Sequence, residues 1–360
     1  MSTLLITILL LILALAGMIV FLMITEYKPA PVEDLSGQIT DSKDSRFLGF
    51  SAHQFMSSTT RTLTCLTWNL GYAGLDRELD FFYDGGKMVN PPKEHSERAL
   101  QGIAGTLAGY DTLDFIFLQE VDFDSKRSFH TNQSGVIGSH LPLHVPVAAV
   151  NYDCRFIPVP ATDPMGKVKS GIVTFTRSLP AEATRHAYKA NFGWPKRLVF
   201  LKRCFLVTRF NLENGKQLLM VNLHNSTFDA DGALRLSEQA QLQEYLEAEY
   251  AKGNFVVAGG DWNMNPRGFA KQSIATGDRV QEILPPLGEG FMPGWQFAFD
   301  PTAPSNRNVD QPYSKGETPT TVIDFFLLSP NVRLAGVKTL DLGFEYSDHN
   351  PVLLTFQLSQ

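Results

Sequence analysis

NFVVAGGDWNMNP, residues 254–266, is the stretch on which the reading of this chain turns. An apolar, β-rich run (Phe255, Val256, Val257) stops at Gly259 and Gly260, and Asp261 and Asn263 follow. Glycines at a strand end let the backbone turn sharply and let a ligand come close. Asp261 and Asn263 are two residues apart, so an extended backbone puts both side chains on one side. One carboxylate and one amide at the mouth of a sheet can orient a water and hold a developing oxyanion. Taken alone the stretch is a plain turn; its surroundings decide otherwise.

From residue 61 onward, short apolar β-rich runs alternate with a few helical ones. The runs 62–68, 115–118, 171–175, 198–210, 218–223, 255–257, 322–328 and 352–356 read as strands. In 97–107, Leu100, Ile103, Ala104 and Leu107 fall at i, i+3, i+4 and i+7, which predicts a helix between Pro92 and Gly109. Residues 233–250 form the longest predicted helix, with Leu242, Tyr245 and Leu246 inward. Residues 74–93 and 294–318 read as long surface loops. Strands with helices spaced among them indicate an α/β core of packed sheets.

Several strand ends carry residues that a core strand would not choose. Asn69 ends the first run (TWNLG), Glu120 the second (FLQEVD) and His224 a later one (VNLHNS). Asp348 and His349 precede the last strand (SDHNPV), and Asp324 interrupts VIDFFLL, where an unpaired charge is costly. Each has a plain reading as a turn residue, a surface acid or a satisfied core histidine. Together they converge. Hard carboxylate and amide oxygens suit Mg2+ or Mn2+, and two histidines with further acids supply phosphate contacts and proton handling. That is the equipment of metal-assisted phosphoester hydrolysis.

The order TWN, LQE, NLH, GGDWN, ID, SDH resembles the endonuclease/exonuclease/phosphatase superfamily, the DNase I-like hydrolases, from about residue 61 to the C-terminus. The resemblance implies a four-layer α/β/β/α sandwich with the site at the ends of two packed sheets. It implies Asn69 and Glu120 as metal ligands, with Asp348 a further ligand or charge partner. It assigns the attacking water to Asp261 and the phosphoryl oxygens to Asn263. His349 would contact phosphate or act as acid–base, oriented by Asp324, and His224 would be the second phosphate-facing histidine. Tyr152 would contact phosphate by its rough position in the pattern.

Departures from the pattern narrow the substrate. Abasic-site endonucleases resemble this chain less, since Leu70 and Gly71 stand where they carry an acid and His224 has no counterpart there. The histidine form is similar to DNase I, sphingomyelinases and other lipid or nucleotide phosphodiesterases. TPTTVIDFF lacks the signature of inositol polyphosphate 5-phosphatases. The insertion 74–93 carries Phe81, Phe82 and Tyr83, which either wall a pocket, touch lipid or pack the loop itself. Lys126 and Arg127 could hold a second phosphate or form a solvated turn. Residues 185–203 hold six Lys and Arg and no acid, with Tyr188, Phe192 and Trp194 among them. Such a mixture fits an anionic membrane surface or a nucleic-acid strand, or two solvated strands.

Residues 4–24 form an apolar run without a charge, long enough at 1.5 Å per residue for a bilayer core of roughly 30 Å. With no basic residue ahead of it and no clean cleavage site, it reads as an uncleaved anchor rather than a signal peptide. The short tail before it favours an extracytoplasmic catalytic domain, although neither flank is basic. Polar residues 25–60, with Pro29 and Pro31, read as a flexible linker, and 61–360 as the catalytic domain. The formal net charge of −6 argues against a protein that coats nucleic acid nonspecifically. Cys65, Cys154 and Cys204 show no metal spacing and read as buried thiols. Two substrate classes stay open: a phospholipid or lipid-linked head group, and DNA or RNA. A catalytically inactive binding module is the third reading. No obligate protein partner is inferred.

Overall fold

The computed structural model describes residues 3–40, 62–227, 229, 232–270, 287–288 and 290–359. Its elements begin with α1 (Thr3–Ile24), β1 (Val32–Asp34), α2 (Gly37–Thr40) and β2 (Leu63–Asn69). Then come α3 (Lys93–Ala108), β3 (Phe115–Asp122), α4 (Gln133–His140), β4 (Val145–Ile157) and β5 (Gly166–Thr176). β6 (Glu182–Ala187), β7 (Cys204–Asn211), β8 (Gln217–His224), α5 (Ala233–Ala251) and β9 (Phe255–Asp261) follow. β10 (Gln296–Ala298), β11 (Asn306–Arg307), β12 (Thr320–Thr321), β13 (Asp324–Leu328), β14 (Val332–Thr339) and β15 (Val352–Leu358) complete the chain.

Two large sheets result. The first has the order β1-β6-β7-β8-β9-β13-β10, the second β14-β15-β2-β3-β5-β4. Each holds one parallel pair, β8 with β9 and β2 with β3. A parallel pair needs a crossover, and α5 and α3 supply them. Each crossover leaves two strand C-termini side by side at the same sheet edge. In the central strands both faces are buried, so β9 reads as one apolar run rather than an alternating one. Phe255 and Val257 face Phe115, Phe117 and Phe356 of the other sheet, whereas Val256 and Ala258 pack with Leu242 and Leu246 of α5. On the far side, Leu66 and Ile116 pack against Leu100, Ile103 and Ile137 of α3 and α4. The layers are α/β/β/α.

A polar link crosses the apolar middle. Gln119 on β3 donates through Nε2 to Asn222 Oδ1 on β8 at 2.7 Å and to Thr67 Oγ1 at 3.1 Å. Asn222 Nδ2 donates back to the Val173 carbonyl on β5 at 3.0 Å. All three side chains are fully buried.

Three expectations need correction. The flexible linker 25–60 begins with docked chain. β1 adds an antiparallel strand to β6, pairing Val32 with His186 and Asp34 with Thr184. The Gln38 amide bonds both backbone groups of Ala148, and Ile39 joins an apolar cluster with Val147 and Leu206. The unpaired edge of β6 is what draws the segment in. Residues 41–60 of the expected linker lie outside the described residues. The expected strand 198–210 starts only at Cys204, after a short turn at Lys196–Leu198. The expected surface loop 294–318 contributes β10 and β11 and buries Ser305 and Arg307.

Among the described residues, α1 is long and apolar enough to cross a membrane. Residues 3–17 are exposed, and Leu22 is the residue of α1 that is buried.

Candidate active site

The register of the first sheet aligns three of the singled-out residues. β8 pairs His224 with Asp261, and β13 pairs Asp324 with Asp261. The turn out of β9 requires Gly260: its φ is +143°, and a Cβ there would lie 2.0 Å from the Leu223 carbonyl oxygen. In the second sheet Asn69 ends β2, and Glu120 sits on a bulge in β3 between Leu118 and Val121. Its φ of 52° is the left-handed region, unusual for a glutamate, and takes its side chain out of the ladder. The connection 347–350 carries Asp348 and His349 across the gap, fixed by Ser347 Oγ donating to the Asn69 carbonyl at 2.8 Å.

Asp261 is the hub. Its Oδ2 accepts from Asn69 Nδ2 at 2.9 Å and lies 3.3 Å from His224 Nε2 and 3.9 Å from His349 Nε2. Its Oδ1 accepts the Asn263 backbone N–H at 2.9 Å. His349 Nδ1 bonds Asp324 Oδ2 at 2.7 Å, and Ser305 Oγ donates to the same oxygen at 2.7 Å. Asn263 Nδ2 donates to the Asn225 carbonyl at 2.9 Å. The fold therefore brings Asn69, Glu120, His224, Asp261, Asn263, Asp324, Asp348 and His349 to one locus.

Burial and charge set the protonation states. Burial raises Asp261 to about 6, against the pull of the His349 charge. For His349, burial acts downward, but Asp324, Asp348 and Asp261 overcome it and hold the imidazole at about 10. At neutral pH it is a cation, and its Nε2 needs an acceptor. The Asn306 Nδ2 lies 3.0 Å away, and the amide turned end for end would present its oxygen there. His224 is the opposite case: burial, then the charges of Arg203 and His349, push it well below the ordinary histidine range. It is neutral, with its Nε2 beside Asp261 Oδ2.

Carboxylates crowd the floor of the cleft. Burial raises Asp348, and Glu120 adds to the shift. Asp84, an exposed residue at the cleft wall, is also raised, by crowding from the protein around it and by the charges of Asp348 and Glu120. This concentration of negative charge around Glu120 and Asp348 is the chemistry that a hard divalent cation answers; Asn69 donates through Nδ2 to Glu120 at 3.4 Å, and its Oδ1 accepts the Gly71 N–H at 3.0 Å. His349, Asp324 and Asp261 form a second cluster whose charge the imidazolium already meets. A third, Asp76, Glu78 and His95, is held by Arg98, which donates to Asp76 at 2.8 Å and Glu78 at 3.0 Å.

The site opens into a cleft of about 1520 Å³. Phe81, Phe82, Tyr83 and Phe200 stand in successive edge contact along its wall. Tyr152 lines it too, but its hydroxyl donates to the Val199 carbonyl at 2.7 Å. Arg127 is buried, bonded twice to Asp122 and stacked 3.7 Å over the Tyr72 ring. Lys126 is bound to the Pro164 carbonyl at 2.7 Å and is absent from the cleft lining. Of the two, Arg127 lines the cleft and Lys126 does not.

A model of the Endonuclease/Exonuclease/phosphatase family matches residues 66–349. The chain belongs to this family. Members of the endonuclease/exonuclease/phosphatase family hydrolyse phosphoester bonds and are generally dependent on divalent metals. No curated protein matches the sequence. Among solved structures, the chain is similar to an endonuclease/exonuclease/phosphatase from Beutenbergia cavernae, at 17% identity and a TM-score of 0.52, covering 83% of this chain and 72% of that one. A family protein from Bacteroides vulgatus matches at 16% identity and a TM-score of 0.50, covering 83% and 100%. Caenorhabditis elegans TDP2 matches at 14% identity and a TM-score of 0.52, covering 84% and 77%. At these identities the likeness establishes the fold.

Sequence reading missed several groups around this candidate site. Asn306 faces His349, Ser305 fixes Asp324, and Arg203 and Asp84 line the cleft. Arg307 donates to the carbonyls of Asp76 at 2.8 Å and Leu79 at 3.1 Å, tying the insertion 74–93 to the loop that carries Asn306. The available signal was SNRN at 305–308, four consecutive polar residues in a loop that also carries Pro301, Pro304 and Pro312.

Proposed function

We propose that this chain is a membrane-anchored, divalent-metal-dependent phosphodiesterase that hydrolyses a phospholipid or a lipid-linked head group. The observation that carries the lipid reading is the cleft wall, where Phe81, Phe82, Tyr83 and Phe200 extend an apolar face away from the charged floor. A diester between a polar head and an apolar tail matches that division. The α1 helix, as an anchor, places the cleft near such substrates.

Asn69, Glu120 and Asp348 would hold Mg2+ or Mn2+. A bound ion would polarise the phosphoryl oxygens and offset the charge that builds on them. Asp261, ionised above about pH 6, takes a proton from the attacking water. Asn69 holds its Oδ2, with His224 alongside, which fixes the direction of that attack. The His349 imidazolium, oriented by Asp324, and the Asn263 amide stabilise the phosphoryl oxygens, and His349 has a proton to give the leaving oxygen. Tyr152 shapes the cleft beside them.

The second reading is an anchored nuclease. Lys196 and Arg203 among the cleft-lining residues support it. The test incubates the full chain in detergent, with an Asp261→Asn control, with Mg2+ or Mn2+ against plasmid DNA, RNA and mixed phospholipid vesicles. Head-group release that the control loses, with nucleic acid intact, supports the lipid phosphodiesterase. Metal-dependent nicking with untouched lipid replaces it with the nuclease.

A further inference from the structure

We propose that residues 189–203 form a membrane-seated collar, with Trp194 in the lipid interface, and that α1 holds the mouth of the cleft against the bilayer it spans. Substrate is then drawn from that same bilayer and not from solution. The inference rests on the reading of α1 as a membrane anchor and on the lipid reading of the cleft.

The first observation is one of length. The 22 residues of α1 extend about 33 Å, hardly more than the roughly 30 Å of a bilayer core. Almost the whole helix is needed to span. Yet its C-terminal end is covered by protein: Met18 and Ile19 are half-buried and Leu22 is 6% exposed. The protein surface against which Leu22 packs must therefore lie at the level of the lipid head groups.

The second observation identifies the chain beside that surface. Glu26, two residues beyond α1, has a side chain only 6% exposed and lies 3.2 Å from Lys202 Nζ and 3.6 Å from Arg197 Nε. Lys202 Nζ also donates to the Arg197 carbonyl at 2.7 Å. The helix exit is thus clamped to this segment by a nearly buried acid. The Arg197 N–H bonds the Gly193 carbonyl at 3.0 Å, closing the turn that displays Trp194.

The third observation is what the turn displays. Trp194 is 62% exposed, whereas Trp68, Trp262 and Trp295 are buried. Residues 189–203 carry five Lys and Arg and no acid, and Lys189, Lys196 and Arg197 are exposed. An amphipathic indole flanked by cations is the composition that settles at an anionic interface. The same segment reaches the site: Lys196, Val199, Phe200 and Arg203 line the cleft. It forms one continuous path from the bilayer surface to the carboxylates.

The test uses the full chain in vesicles of phosphatidylcholine and phosphatidylserine, with and without a nitroxide high on the acyl chain. We expect the nitroxide lipid to quench the share of emission due to one tryptophan in four, and Trp194→Phe to abolish the quenching. Head-group release should be severalfold faster from the vesicles holding the protein than from a second population mixed with them. Absent quenching, or quenching that persists in Trp194→Phe, overturns the collar. So does protection of Trp194 by an added oligonucleotide with no response to lipid. Quenching without any lipid hydrolysis upholds the collar and defeats the lipid-substrate reading. Equal hydrolysis of both populations without quenching does the reverse.

Discussion

Asp261 and His349 lie 3.9 Å apart, and their environments push their proton affinities in ways that suit opposite tasks. In the proposed mechanism Asp261 must be ionised to accept a proton, and His349 must be protonated to meet phosphate. The pH dependence of kcat/KM should therefore rise through about 6 and fall again only toward about 10. Asp324→Asn removes the leading charge that holds His349 up, leaving burial to act downward. The alkaline limb should then move down from about 10 toward the ordinary histidine value near 6.5, with Asp348 and Asp261 still opposing the fall. A limb that stays near its wild-type position would show that another group titrates there. Asp261→Asn and His349→Ala should each lower turnover by about 10³-fold or more with an unchanged circular dichroism spectrum. Glu120→Gln tests the metal without using activity. Mg2+ or Mn2+ should raise the melting temperature of the wild type, and the variant should lose most of that rise.

At the scale of elements, the two crossovers carry the design. They place His224 beside Asp261, and Asn69 beside the bulge bearing Glu120, each at strand C-termini. Gly260→Ala should cost several kcal/mol, since both its φ and the Leu223 carbonyl exclude a Cβ, and loss of soluble protein or a large fall in melting temperature would report it. A chain begun at Thr62 lacks β1 and α2 and bares the edge of β6. Its melting temperature should fall by roughly 5 °C, at about 2–4 °C per kcal/mol for a domain of this size. These elements differ in how openly the sequence displays them. The site strands were legible because a carboxylate or imidazole ending an apolar run is costly unless it has a purpose. The helix α3 was legible from its period. β1 was not, because three residues with two acids show no pattern until β6 offers them an edge. α4 hid behind two glycines and β4 behind Pro146, both poor signals for their own structure. Asn306 and Ser305 lie in a stretch without period, and only the folded return of that loop brings them to His349.

The whole molecule divides its site between two sheets. Asp261, His224 and Asp324 belong to the first, whereas Asn69 and Glu120 belong to the second, which Asp348 and His349 lead into. The apolar layer between them would tolerate sliding, since burial is non-directional. The Gln119–Asn222 link does not, because a shift of one residue would leave two buried amides without partners, at about 1–3 kcal/mol each. Asn222→Leu should therefore lose more activity than its modest loss of melting temperature suggests, as parallel assays of both would reveal. The link is in effect a vernier between two rulers. Each sheet is a rigid scale, and catalysis reads their coincidence. Warmed slowly, the protein should fall silent while its strands still give a native far-ultraviolet spectrum, because alignment fails before either scale dissolves.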